Sequence, residues 1–122
     1  MKLKHFTPEE FDCKCGNCDR GFIDMDAELL TMLDKARGLA GRRFVINSGM
    51  RCKTHNRAVK GAKNSPHKIG HAVDIAVEDD YHRFEIVASL IAQGMPRLIL
   101  YPSWIHADNH PAKRGRWLQL KQ

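Results

Sequence analysis

The segment Ser65–Val77, SPHKIGHAVDIAV, changes from loop to strand half-way along its length. Its first half is polar and contains a proline and a glycine, which is typical of a loop. Its second half alternates as a β-strand does, with Asp74 and its alanine neighbours on one face and the valines and Ile75 on the other. An aspartate between two apolar residues is costly to bury unless it is paired or binds a metal. His67, just ahead of the strand, could supply an imidazole to the same ion.

The apolar pattern before this segment predicts a core helix over residues 26–37. Leucines and an alanine recur there at helical spacing, with Asp26 before them and Gly38 behind them. Thr7–Glu10 resembles a helix start, because a threonine cap is followed by proline and, two residues later, by glutamate. That helix must be short, since the cysteine-rich stretch 13–21 follows at once.

A further helix is expected after the segment. Asp79 or Asp80 can cap it, and it would run to about Gln93 with Gly94 as its stop. Its apolar stripe, expected to face the core, consists of Phe84, Val87, Ala88 and Ile91.

Short apolar runs predict the strands, at residues 44–46, 71–77, 97–101, 104–108 and 116–120. Helices come first, then a helix enclosed by strands, and turn-length gaps separate the last three strands. This order favours a small α+β fold with a central antiparallel sheet and flanking helices over a doubly wound fold. At 122 residues the chain fits a single domain, 1–122.

A third candidate ligand lies in the apolar run Trp104–Asp108. His106 stands in its middle, with Asp108 two residues later on the same side of a strand. A catalytic zinc site needs three protein ligands and an open position for water, and two histidines with one carboxylate are a usual set. His67, Asp74 and His106 are therefore the predicted ligands of one zinc ion.

These residues belong to a longer set of motifs that resembles the peptidase M15 family. The motifs are Ser48-Gly49-Met50-Arg51, His55-Asn56, Gly61-Ala62-Lys63-Asn64-Ser65, His67, Gly70, Ala72, Asp74-Ile75, Trp104-Ile105-His106 and Asp108. The family contains zinc D-Ala-D-Ala carboxypeptidases and phage endopeptidases, and the resemblance covers roughly residues 7–120. Its short, stand-alone branch is the most similar, because members often carry a cysteine after the Ser-Gly-x-Arg motif, as Cys52 does here.

The resemblance implies the small α+β fold shared with hedgehog-like peptidases, the three zinc ligands named above, and a peptidoglycan peptide substrate that contains a D-amino acid. It also implies that Arg51 stabilises an oxyanion or grips a substrate carboxylate. Many members place the general base three residues before the third ligand, where this chain has Ser103. Asp108 is therefore expected to act as the base or as a partner that orients a ligand. Weaker candidates for substrate contact are Ser65, Trp104 and His110.

The cysteines suggest a second site. Cys13, Cys15 and Cys18 lie within six residues of one another, and Cys52 is distant in sequence. They could hold a structural zinc, pair as disulfides or stay free, and the Gly-Asn turn between Cys15 and Cys18 favours a metal.

The other histidines are expected to lie away from the metal. His71 falls on the strand face opposite Asp74, and His55 is expected to be structural. His5 and His82 are expected at the surface.

A net charge of +6 would draw the chain towards polyanions such as the cell wall, but no block of like charges indicates a specific nucleic-acid site. The N-terminus has no apolar stretch typical of a secretion signal, and no run is long enough to span a membrane. The expected protein is a monomer, cytoplasmic when made, that acts on the wall after release or within a phage particle.

Two alternatives remain open: a non-catalytic zinc-bound module of a phage particle or complex, and a basic zinc-ribbon-like nucleic-acid binder.

Overall fold

The computed structural model describes residues 1–113 and 115–122 and has the expected α+β architecture. Its α-helices are α1 (Ala27–Ala40), α2 (Lys53–Ala58) and α3 (Asp80–Ala92), and its strands are β1 (Ile46–Ser48), β2 (Ala72–Ala76), β3 (Arg97–Leu100), β4 (Trp104–Asp108) and β5 (Trp117–Leu120). Single turns of 3₁₀-helix span Pro8–Phe11, Phe22–Asp24 and Pro66–Ile69. No helix among the described residues combines the length and the apolar character needed to cross a membrane.

The five strands form one mixed sheet in the order β1-β2-β4-β3-β5. The first four are antiparallel neighbours, as expected, but β5 pairs with β3 in parallel. The predicted central antiparallel sheet is confirmed, and β5 adds a parallel pair at its edge. The reason is that β4 already has β2 on one side and β3 on the other, so β5 cannot form a hairpin with it. The chain instead crosses to the free edge of β3.

The sheet has one face covered by α1 and α3. Alternate residues of the central strands, among them Val73, Ile75, Ile105 and Ala107, share a single core with the helices and are each 0% exposed. The other residues of the same strands point to the opposite face of the sheet. The alternation that buries the core thus places Asp74 and His106 on the face opposite α1 and α3.

Helix α1 begins where expected, with the Asp26 carboxylate accepting a hydrogen bond from the backbone N–H of Leu29 at 3.0 Å. It does not end at Gly38, however, but continues to Ala40. Gly41 stops it instead, in the left-handed conformation with φ of 64°. The Gly38 prediction was wrong because one glycine inside a helix costs only about 1 kcal/mol, which core packing on the same helix can offset.

Of the stripe predicted on α3, only Val87 packs against the core, and the prediction was wrong for its other members. Phe84 and Ile91 are 71% and 52% exposed, whereas the side chains that enter the core are Ile86 and Leu90. Beside them lies His82, which was expected at the surface but is 1% exposed. Its ring bonds the carbonyl of Arg43 at 2.7 Å and accepts the N–H of Glu78 at 3.0 Å, so both nitrogens are satisfied, as burial requires.

Strand β1 lies later in the chain than residues 44–46. Ile46 pairs with Ile75, and the register shifts before Ser48 pairs with Asp74. Phe44 is instead a core residue just ahead of the strand, which explains why its apolar run suggested a strand there.

Candidate metal centre

Two of the predicted ligands meet because the sheet register places them side by side. Asp74 of β2 is directly opposite His106 of β4, so their side chains leave adjacent backbones towards the same face. The Nδ1 atom of His106 lies 3.0 Å from Oδ1 of Asp74.

The third predicted ligand, His67, comes from the 3₁₀ turn that precedes β2. The Ser65 hydroxyl caps this turn by accepting the N–H of His67 at 3.2 Å. Gly70 ends it with φ of 75°, and a Cβ atom there would collide with the carbonyl oxygen of Asp24. Only glycine fits, and the tight turn aims Nε2 of His67 at the same Oδ1 of Asp74, at 3.2 Å.

The second nitrogen of each imidazole is bonded to an oxygen that can only accept. Nδ1 of His67 faces the carbonyl of Gly49 at 2.9 Å, and Nε2 of His106 faces Oδ2 of Asp108 at 2.7 Å. Those nitrogens must carry the hydrogens, so the nitrogens that face Asp74 present lone pairs. Three lone pairs then converge on one point, an arrangement that needs a proton or a cation between them.

The distances fit a metal ion. Ligands about 2.05 Å from a tetrahedral zinc would be about 3.3 Å apart, close to the 3.0 and 3.2 Å found between Asp74 and the two imidazoles. The three donor atoms lie within 4.8 Å of one another. This donor set and its held tautomers are suited to a divalent transition metal.

The same contacts control protonation. Burial would raise the pKa of Asp74, but hydrogen bonds with His106 and His67 outweigh it and hold the pKa well below the usual range. Burial would lower the pKa of His106, yet the hydrogen bonds with Asp108 and Asp74 raise it. The site therefore keeps Asp74 ionised and favours a positive charge beside it.

Asp108 lies on the far side of the His106 ring from Asp74. Its side chain is 2% exposed, and its other oxygen accepts from Nε of Arg97 at 3.0 Å and from the N–H of His110 at 3.1 Å. Burial would raise the pKa of Asp108, but the hydrogen bond with His106 outweighs it and lowers the pKa. A buried, ionised and fully bonded carboxylate of this kind is suited to fixing the orientation and tautomer of His106.

Arg51 lies next to the candidate ligand Asp74. Its Nη2 atom is 3.6 Å from Oδ2 of Asp74 and 3.2 Å from the Ser48 hydroxyl, while Nη1 donates to Asn56 at 3.0 Å. Burial lowers the pKa of Arg51, and the charge of Asp74 opposes that effect. The guanidinium is thus held at the site, with its Nε buried and without a hydrogen-bond partner among the described residues.

The three candidate ligands open onto a cleft of about 770 Å³. The described residues that line it include the carboxylates Asp74 and Asp108 and the basic side chains Arg51, Lys60, Arg97, Lys113 and Lys121. Tyr101 and Trp104 stack in its wall with ring centroids 4.2 Å apart. The lining is therefore predominantly cationic, with an aromatic patch.

Comparison with known families agrees with this geometry. The model of a family described as Peptidase M15 matches residues 4–108. The chain belongs to the peptidase M15 family. No curated protein matches it.

The structure of this M15 family member brings together most of the residues predicted from the sequence. His67, Asp74, His106, Asp108 and Arg51 form one cluster.

The weaker substrate candidates divide. Trp104 lines the cleft, and so does Ser65, although its hydroxyl is used in capping the turn of His67. His110 lies instead against a neighbouring depression lined by Lys68 and Lys113, and burial lowers its pKa. His71 is turned away from the M15 site towards Asn109, with 2.9 Å between Nδ1 and the amide oxygen.

Arg97 is the residue that sequence reasoning missed. It holds Asp108, and its guanidinium lies 4.2 Å from the centre of the Trp117 ring. The signal was present in the strand RLIL, where Arg97 and Ile99 alternate with two leucines and so occupy the face opposite the core.

The four cysteines of this M15 chain are also brought together. Their sulfurs lie within 4.8 Å of one another, and all four are free thiols. This cysteine cluster shares no residue with the His-Asp-His cluster.

Proposed function

We propose that the protein is a zinc peptidase that hydrolyses short peptide bonds in peptidoglycan stem or cross-link peptides containing a D-amino acid. The observation that carries the proposal is the convergence of three lone pairs, from His67, Asp74 and His106, beside an open cleft. Membership of the M15 family supports the peptidase chemistry.

His67, Asp74 and His106 would hold the zinc ion. When bound, zinc polarises a scissile carbonyl and lowers the pKa of water towards about 7. The protein's own contribution is to orient the two imidazoles and to fix the tautomer in which the nitrogen facing Asp74 can bind the ion. The Gly49 carbonyl does this for His67, and we infer that Asp108 does it for His106.

Arg51 and the basic lining support a substrate that carries carboxylates. The stem peptides of peptidoglycan end in a carboxylate, which a guanidinium can bind with two parallel hydrogen bonds. Arg51 already contacts Asp74, so the same cation can stabilise the ligand and the negative charge that develops on a scissile carbonyl.

Asp108 acts, on this proposal, through His106 rather than as the base. Both of its oxygens already accept hydrogen bonds, Oδ2 from His106 and Oδ1 from Arg97 and the His110 amide. Ser103, which stands where many family members have an acid, is exposed and directly precedes the first residue of β4.

The test is to incubate the purified, zinc-loaded protein with peptidoglycan and identify the released fragments by mass spectrometry. Release of terminal D-alanine indicates carboxypeptidase activity, and loss of cross-linked dimers indicates endopeptidase activity. His67→Ala should abolish the products, whereas His5→Ala, an exposed histidine outside the cleft, should leave them unchanged.

A second candidate is a non-catalytic zinc-bound module of a phage particle or complex. It is favoured by one observation: Asp74 and Asp108 are the only carboxylates that line the cleft within the described part of the chain, and both are bonded to imidazoles. Stoichiometric zinc with intact wall peptides would support it over the peptidase. Action on the wall after release, or within a phage particle, stays a prediction.

A further inference from the structure

We propose that Cys13, Cys15, Cys18 and Cys52 form a second metal site, a tetrathiolate that takes Zn²⁺ and fastens the N-terminal segment to the loop bearing Arg51. The site does not depend on the proposed peptidase activity, because it shares no ligand with the His-Asp-His cluster.

The first argument is the convergence of four sulfurs rather than two pairs. All four lie within 4.8 Å of one another, and Cys15 and Cys18 are 3.4 Å apart. A tetrahedral zinc with bonds of about 2.3 Å to sulfur separates its ligands by about 3.8 Å. Disulfide formation would need only pairwise contact and would not bring all four to one point.

The second argument is that three of the four sulfurs accept a hydrogen bond from a backbone N–H. The N–H groups of Asn17, Cys52 and His55 donate to Cys15, Cys13 and Cys52 at 3.3, 3.3 and 3.4 Å. Backbone donors stabilise thiolates rather than thiols, and thiolates are the form that binds metal.

The third argument is what the sulfurs join. Residues 13–18 lie in a stretch with no α-helix or strand, and Cys52 begins α2 directly after Arg51. Besides the thiol contacts, the backbone bonds between Cys13 and Arg20 and between Met50 and Phe11 hold this stretch in place. A segment with so little regular structure gains most from a metal link.

The experiment is metal analysis of the purified full-length chain with matched variants. We expect about two zinc ions per wild-type chain. The double variant Cys15→Ser with Cys18→Ser should lose one, and Lys14→Ser, exposed in the same segment, should lose none. His67→Ala should also lose one, but a different one.

Cobalt substitution separates the two sites, and its first readout needs only the wild-type protein. Cobalt-loaded wild type should show an intense thiolate-to-metal charge-transfer band, which His67→Ala should retain and the double cysteine variant should lose. Unchanged zinc content in a folded cysteine variant would overturn the proposal. So would a purified protein whose mass is lower by two hydrogens for each disulfide, or a cobalt-loaded wild type without the band. Failure of peptidase activity alone would leave all of these readouts unaffected.

Discussion

Replacing Asp108 by asparagine tests which role this carboxylate has. In the wild type, Oδ2 accepts from His106 at 2.7 Å and Oδ1 accepts from Arg97 at 3.0 Å and from the His110 amide at 3.1 Å. An asparagine has one oxygen and one NH₂ group for these donors. If its oxygen faces His106, the NH₂ group opposes two N–H donors. If the NH₂ group faces His106, the proton of the ring moves to Nδ1 and blocks the metal position.

Either arrangement weakens metal binding. Loss of a partner that orients a ligand lowers metal affinity by about 10- to 100-fold, which corresponds to about 1.4–2.7 kcal/mol. We expect Asp108→Asn to show this loss in competition with a chelator of known affinity. At saturating zinc the variant should recover most of its kcat.

The opposite pattern would refute this reasoning. Unchanged zinc affinity with a collapse of kcat at saturating zinc would make Asp108 the general base. Asp80→Asn is the matched control, because the Asp80 side chain is fully exposed at 100%, and it should change neither quantity.

Three further predictions concern Arg51, the metal and Asp26. Arg51→Lys keeps the charge, but a lysine cannot reach Ser48, Asn56 and Asp74 together. We therefore expect kcat/KM to fall about 10- to 100-fold. An unchanged kcat/KM would show that Arg51 has no role in the reaction. A chelator should abolish hydrolysis, and added zinc should restore it; activity that survives exhaustive chelation would contradict a metal mechanism. Asp26→Ala removes the cap of α1 and should lower the free energy of unfolding by about 1 kcal/mol, measured by chemical denaturation. Burial would raise the pKa of Asp26, but hydrogen bonds from Asn109 and Leu29 lower it. The wild-type advantage should therefore be constant above about pH 4 and shrink as the pH falls below it; an advantage that grows in acid would contradict this assignment.

Much of the site could be predicted from the sequence because its residues break the pattern around them. Asp74 and His106 each interrupt an apolar strand. Because successive side chains of a strand point to opposite faces of the sheet, the sequence also indicates which face each residue occupies. His67 was found from its distance to Asp74 in the chain. What the sequence could not show was that the register pairs Asp74 with His106, which is set by the whole sheet.

The errors occurred where tertiary packing decides. The stripe of α3 was misassigned because Ile86 and Leu90 face the core, while Phe84 lies exposed on the same helix. His82 was placed at the surface because a histidine in a helix gives no sign that a distant carbonyl, that of Arg43, will satisfy it. The parallel pairing of β5 depended on both sides of β4 being occupied, which no local pattern records.

Strand β5 and the residues next to it supply a wall of the cleft that carries none of the candidate metal ligands. The family match ends at residue 108, yet Lys113, Trp117, Gln119 and Lys121 form part of the cleft wall. Of the candidate metal ligands, Asp74 and His106 lie on the central strands β2 and β4, and His67 lies on the 3₁₀ turn that precedes β2. The wall opposite sits on an edge strand that is mostly exposed. Substitutions in this tail can therefore reshape one wall of the cleft while the three candidate ligands and their hydrogen bonds stay as they are.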